Sequence, residues 1–150
     1  MPPRRRVPRG PRRGAAALEF CIVAALLFLI FLGMIEVGRA MMVLGAVANA
    51  ARAGARAGGM TSGDYSAVTS AVQDALSRAK ISGGQQVVVT VNDVTVTDDD
   101  SFRAAAVPGA AVSVTVKVPY SSVTWLPAGT GLFLSSGQVL AETAVMCKEG

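Results

Sequence analysis

The sequence predicts an α+β protein, in which a long N-terminal helix, transmembrane and then amphipathic, precedes a small domain of one helix on a three- to four-stranded, mainly antiparallel sheet. Three observations carry this. From Ala15 to Ile35 about twenty residues hold one charge, enough to cross a ~30 Å hydrocarbon core as a helix. After Thr61 apolar residues recur at helical spacing. Beyond that, β-branched residues alternate with polar ones in separate stretches.

The segment before the apolar run, residues 1–14, reads as a basic, proline-rich leader. Of fourteen basic side chains in the protein, six (Arg4, Arg5, Arg6, Arg9, Arg12 and Arg13) precede Gly14, leaving eight against ten acidic ones in the body. The net charge of +4 is therefore a property of the leader. An arginine-rich arm can bind nucleic acid, but one that abuts a membrane run sets topology instead, so no nucleic-acid partner is expected. Arg39, Arg52 and Arg56 are fewer and follow the run, which places the N-terminus in the cytoplasm and exports the remainder. A cleaved secretory signal is the competing reading; its best cleavage-like site, Ala48-Asn49-Ala50, lies well past a run too long for a signal core.

Residues 15–35 form the transmembrane helix and 36–58 its helical extension. "EVGRAMMVLGAVANAARAGARAG" continues from Glu36 without a proline. Glu36 and Arg39, three apart, can pair on one face at the membrane boundary. Ala46, Ala50, Gly54 and Gly58 form a ladder at spacing four that would let another helix approach closely. Gly58-Gly59 ends the helix and opens the exported domain, 59–150.

Within that domain Thr61-Ser62-Gly63-Asp64 reads as a capping box with Thr61 as the cap. Tyr65, Val68, Val72, Ala75, Leu76 and Ala79 then mark an amphipathic helix ending near Lys80. "QQVVVTVNDVTVT" places Val87, Val89 and Val91 on one strand face, with Asn92-Asp93 as a turn or a bulge. In "AAVSVTVKVPY" Val112, Val114, Val116 and Val118 alternate with polar residues, and "QVLAETAVM" supplies the last strand. A sheet with one apolar face and a helix with a matching stripe cover each other. The domain is small for independent stability, and packing the preceding long helix on the sheet would help it.

Signatures of catalysis are absent. There is no histidine, no GxSxG, no Walker loop and no HExxH. No enzyme activity and no cofactor are expected. Asp98, Asp99 and Asp100 could hold a hard cation through oxygen ligands or form a solvated interstrand loop; they lack the spacing of a calcium loop. Trp125, Leu126, Leu132, Phe133 and Leu134 suit either loop packing over a sheet edge or a protein contact. Cys21 in the apolar run and Cys147 in the exported part are not expected to pair.

The odd residue is Glu19, a carboxylate inside the apolar run. A charge at the bilayer centre costs ~2.5–3.5 kcal/mol on insertion scales, and less near the interface. A shallow position beside Arg12 and Arg13 would explain its survival. It would not explain why a glycine lies five residues earlier. A cut after Gly14 would make Ala15 a new ammonium and Glu19 the fifth residue, one turn away, in the positive end of the helix dipole.

"RRG" followed by "AAALEF" resembles the type IV prepilin processing site, cut after glycine with glutamate at mature position five. The stretch from Arg12 to Gly59 is similar to the TadE family of minor pilins, or pseudopilins, of tight-adherence (Tad/Flp) pilus systems, and "LAETAVMCKE" is similar to that family's last strand. The resemblance implies leader cleavage between Gly14 and Ala15 and a role for Glu19 in processing or assembly. Glu36 and Arg39 match the charged end of the family's membrane segment; Cys147 departs from the polar or basic residue expected there. Implied partners are the inner membrane, a prepilin peptidase, the major Flp-type pilin, other TadE/TadF-like minor pilins and the assembly platform. The implied role is assembly, initiation or capping of a pilus that serves adhesion and biofilm formation. An uncleaved, signal-anchored envelope protein whose domain binds a partner or the cell wall is the alternative.

Overall fold

The computed structural model describes residues 13–124 and 137–150. Most of the leader and the segment from Trp125 to Leu134 lie outside the described residues. The element order is α1 (Arg13–Gly59), α2 (Tyr65–Arg78), β1 (Gln86–Val91), β2 (Val94–Val96), α3 (Asp99–Ala105), β3 (Ala111–Pro119), a single 3-10 turn (Tyr120–Ser122) and β4 (Val139–Cys147). The chain divides into two units, residues 1–35 and 36–150, and α1 runs through both.

In the first unit α1 is an apolar rod. It is long and apolar enough to cross a membrane, with a mean hydropathy of 2.8 in its most apolar stretch. Phe20 and Phe28 are 72% and 70% exposed. Such a surface suits hydrocarbon rather than water, consistent with a membrane anchor.

The second unit holds the core. Its four strands form one antiparallel sheet in the order β2-β1-β3-β4. Alternation does what it predicts: Val112, Val114, Val116 and Val118 of β3 all turn inward and are buried, beside Val89 and Val91 of β1. Val68, Val72 and Leu76 of α2 and Val43, Val47, Ala50, Ala51 and Ala55 of α1 complete one cluster. Residues from both 36–58 and 59–150 therefore share a single core. Asn92 and Asp93 are a turn: they join Val91 directly to Val94, both with left-handed φ (47° and 66°), as a two-residue hairpin requires.

Two local expectations are corrected. The cap of α2 is Asp64, whose carboxylate accepts from Ala67 N–H at 2.8 Å, not Thr61. Residues 60–63 are used up in a turn closed by Gly63 N–H on Met60 O, so the helix starts three residues late. The acidic run is not a loop but the start of a second domain helix, α3. Asp98 accepts from Ser101 N–H at 2.7 Å while Ser101 Oγ accepts from Asp98 N–H, and Phe102 anchors the helix in the core. Cys21 and Cys147 are free and exposed.

Candidate functional site

At the start of α1, Gly14, Ala15 and Glu19 are all exposed. A Cβ at Gly14 would meet nothing within 4 Å among the described residues, so packing among them does not require glycine there. Glu19 stands in the second helical turn and has no hydrogen-bond or ion-pair partner among the described residues.

Glu36 behaves differently. It is 4% exposed and accepts hydrogen bonds from the hydroxyls of Tyr120 and Thr124. One turn on, Arg39 Nε donates to the Val123 carbonyl. Glu36 and Arg39, expected to face each other across a turn, thus both reach the segment that follows β3. A buried carboxylate is tolerated only with such donors. Burial first, and the Glu36 carboxylate next, hold the Tyr120 phenol above its ordinary range.

The ladder of small residues is occupied from inside the chain. A Cβ on Gly54 would lie 2.6 Å from a Val72 methyl and 3.2 Å from one of Val114; on Gly58 it would lie 2.9 Å from Val68 and 3.0 Å from Val112. Ala50 is fully buried, and Ala46 is half-buried against the same cluster. The closely approaching helix is α2, and the sheet closes the other side.

Two of the three aspartates, Asp98 and Asp99, act as structural acceptors at helix starts. Asp98 caps α3, while Asp99 Oδ1 accepts from Ser66 N–H at 2.8 Å in the first turn of α2. Asp64, which also faces Arg103 at 3.7 Å, has its carboxyl held below the usual range, chiefly by the Ala67 N–H; Asp98 is held low chiefly by the Ser101 N–H. Asp100 lies in the first turn of α3, where the helix dipole favours an acid.

Lys148 is a residue the sequence did not single out. It is 8% exposed, and its Nζ donates to the carbonyls of Gly58 (3.3 Å), Met60 (2.5 Å) and Gly63 (3.0 Å), just where α1 ends. Its ammonium also sits 5.5 Å from the centroid of the Phe102 ring. A cation at a helix C-terminus meets both the unbonded carbonyls and the negative end of the dipole. Its place in "LAETAVMCKE" was visible; its partners, nearly ninety residues away, were not.

These contacts hold elements together. Set beside known proteins, residues 14–56 match the family model described as TadE-like protein. The matched stretch carries Gly14, Ala15, Glu19, Glu36, Arg39, Ala46, Ala50 and Gly54. No curated protein and no solved structure matches the chain. The match covers less than a third of the chain and lies wholly within α1; that stretch is what is similar to the TadE-like family.

Proposed function

We propose that this TadE-like chain is a minor pilin, or pseudopilin, that a prepilin peptidase cleaves between Gly14 and Ala15 and that then contributes to assembly, initiation or capping of a Tad-type pilus, and so to adhesion. The supporting observation is the placement of Gly14 and Glu19: five residues apart, exposed at the start of an apolar helix, with no packing need for that glycine. Cleavage gives Ala15 a free ammonium in the first turn, one turn from Glu19. In low dielectric the attraction between the two is poorly screened. Paired on one chain or between neighbours, they offset the cost of burying either charge and set the register of adjacent helices.

In this reading α1 anchors the chain in the cytoplasmic membrane with its N-terminus inside, and residues 36–150 lie outside. The exported unit acts as a structural head without chemistry of its own. Its partners are the peptidase, the major pilin, other minor pilins and the assembly platform. A head on every subunit would change the filament, which favours a minor role. Intact-mass and N-terminal analysis of protein extracted from membranes tests the proposal. Ala15 is the expected first residue. An intact leader in cells with an active prepilin peptidase would select the signal-anchored envelope protein instead.

A further inference from the structure

Strand β4 lies at one edge of the sheet, and its bonds to β3 show which residues face outward. Tyr120 N–H donates to Gln138 O and Lys148 N–H to Ala110 O, continuing the β3–β4 register at either end. Even-numbered residues of β4 therefore turn their backbone toward β3. The odd-numbered ones, Val139, Ala141, Thr143, Val145 and Cys147, turn theirs away. None of these has a backbone bond on its outer side among the described residues. The opposite edge, β2, is 3 residues long, whereas β4 runs for 9 in unbroken register without a proline or a lysine. Shortness, proline and lysine are what ordinarily blunt an edge.

The edge carries one charge. Glu142 pairs with Val116, shares the sheet's core-facing side and is half-buried. It forms no ion pair among the described residues. An antiparallel strand laid on this edge would meet Glu142 at a non-hydrogen-bonded position, where facing Cα atoms come within about 4.5 Å. It would also take the carboxylate out of water, a cost that an opposite charge must offset. This chain has no free strand of that kind. Neither β2, β4 nor residues 125–136 contain Lys or Arg, and Pro8 and Pro11 interrupt the basic leader. β3, which holds Lys117, is already paired on both sides. A second copy laid edge to edge would bring acid toward acid.

We propose that the outer edge of β4 receives an extended segment of another protein, which adds a strand to the sheet and sets a Lys or Arg against Glu142. The outward N–H and C=O groups supply the affinity. The cation supplies the register, because a slip of one residue would carry it to the other face. The inference is independent of leader cleavage and of the membrane reading. It accounts for a long edge left without the usual protection, and for a half-buried acid with no counter-charge among the described residues.

The test uses the full chain in detergent micelles and two short synthetic peptides of alternating threonine and valine. One carries a central lysine, the other a glutamate at that position. Amide hydrogen exchange is followed by NMR. In the free chain Ala141, Thr143 and Val145 should exchange fast and Leu140, Glu142 and Ala144 slowly. The lysine peptide should protect the first set and bind about fivefold tighter than the glutamate peptide. Glu142→Gln should abolish that ratio while the sheet stays formed. Thr143→Pro, at an edge N–H that β3 does not use, should lose the protection at an unchanged unfolding temperature; if it unfolds the chain, the Glu142→Gln ratio decides. Failure of the lysine peptide to protect the odd-numbered amides, or equal binding of both peptides, overturns the proposal. Slow exchange of those amides in the free chain overturns it too. Independent of concentration, it assigns the edge to the chain's own residues; growing with concentration, it assigns the edge to a second copy.

Discussion

The phenol of Tyr120 donates its hydrogen bond to the carboxylate of Glu36, a residue 84 positions earlier in the chain. That bond fastens the end of β3 to α1 at the first residue of the folded unit. Because burial and Glu36 raise the Tyr120 phenol above 10.0, the unfolded chain gives up this proton first as pH rises. Its stability contribution is therefore whole below pH 10 and is lost as pH climbs from there through the folded value. Tyr120→Phe should remove that alkaline limb and cost about 1–2 kcal/mol at neutral pH, read from denaturant unfolding at a series of pH values.

On the acid side the sign reverses. Asp64 and Asp98 are held below 3.8, so their contribution is present above that value and disappears as pH falls through the folded values. Asp98→Asn keeps an acceptor for Ser101 N–H but cannot titrate. It should leave α3 formed at pH 7 and flatten part of the stability loss below pH 4, measured by circular dichroism against wild type.

Gly54 and Gly45 occupy the same helix and should answer the same substitution with opposite signs. A Cβ at Gly54 strikes Val72, whereas one at Gly45 meets nothing within 4 Å among the described residues. Gly54→Ala should destabilise by about 1–3 kcal/mol through overpacking, and a second change, Val72→Ala, should recover part of that. Gly45→Ala should stabilise by up to ~1 kcal/mol from helix propensity alone. Unfolding midpoints of the three variants against wild type decide it.

Much of this architecture could be read in advance, and the exceptions have physical reasons. The alternation of Val112 to Val118 announces β3 because one buried face forces period two. The ladder from Ala46 to Gly58 announces a close approach, yet spacing along one helix says nothing about what covers it, and Val68, Val72, Val112 and Val114 are distant in sequence. The helix α3 was hidden because seven residues are too few to display a period; it stands on its caps and on Phe102. Thr61 satisfies the cap pattern because any Ser/Thr-x-x-acid stretch does, whereas the chain spends residues 60–63 on a turn and caps the helix with Asp64. The three-residue spacing of Glu36 and Arg39 puts both on one helix face, but their partners Tyr120, Thr124 and Val123 lie more than eighty positions away, where no local pattern reaches.

Gly14 and Glu19 should separate processing from assembly. The Cβ of Gly14→Leu meets nothing within 4 Å among the described residues, so the protein should accumulate in membranes but keep its fourteen-residue leader, visible as a larger intact mass. Glu19→Ala makes the span more apolar and should insert at least as well as wild type, with surface pili lost or sharply reduced. Glu19→Asp should rescue poorly, since the shorter side chain draws the charge away from its partner. Counting pili and membrane-bound protein in the same cells is the check; full piliation of Glu19→Ala at normal protein levels would reduce Glu19 to a tolerated shallow charge.

Lys148→Met keeps the length of the side chain but removes all three bonds to the end of α1. It should cost about 2 kcal/mol and open the stretch between Gly58 and Gly63 to proteases while the sheet stays formed, as followed by limited proteolysis with mass mapping.

The closure of α1 by the last residues also sets an order of events. Lys148 reaches Gly58 across 90 positions, Glu149 N–H bonds Gly59 O at 2.7 Å, and Thr61 Oγ1 meets the oxygen of Gly150. In the proposed topology the chain emerges from the membrane beginning with α1, so the groups that seal the helix arrive last. A nascent chain released after Cys147 would own every strand and still carry an unsealed helix end.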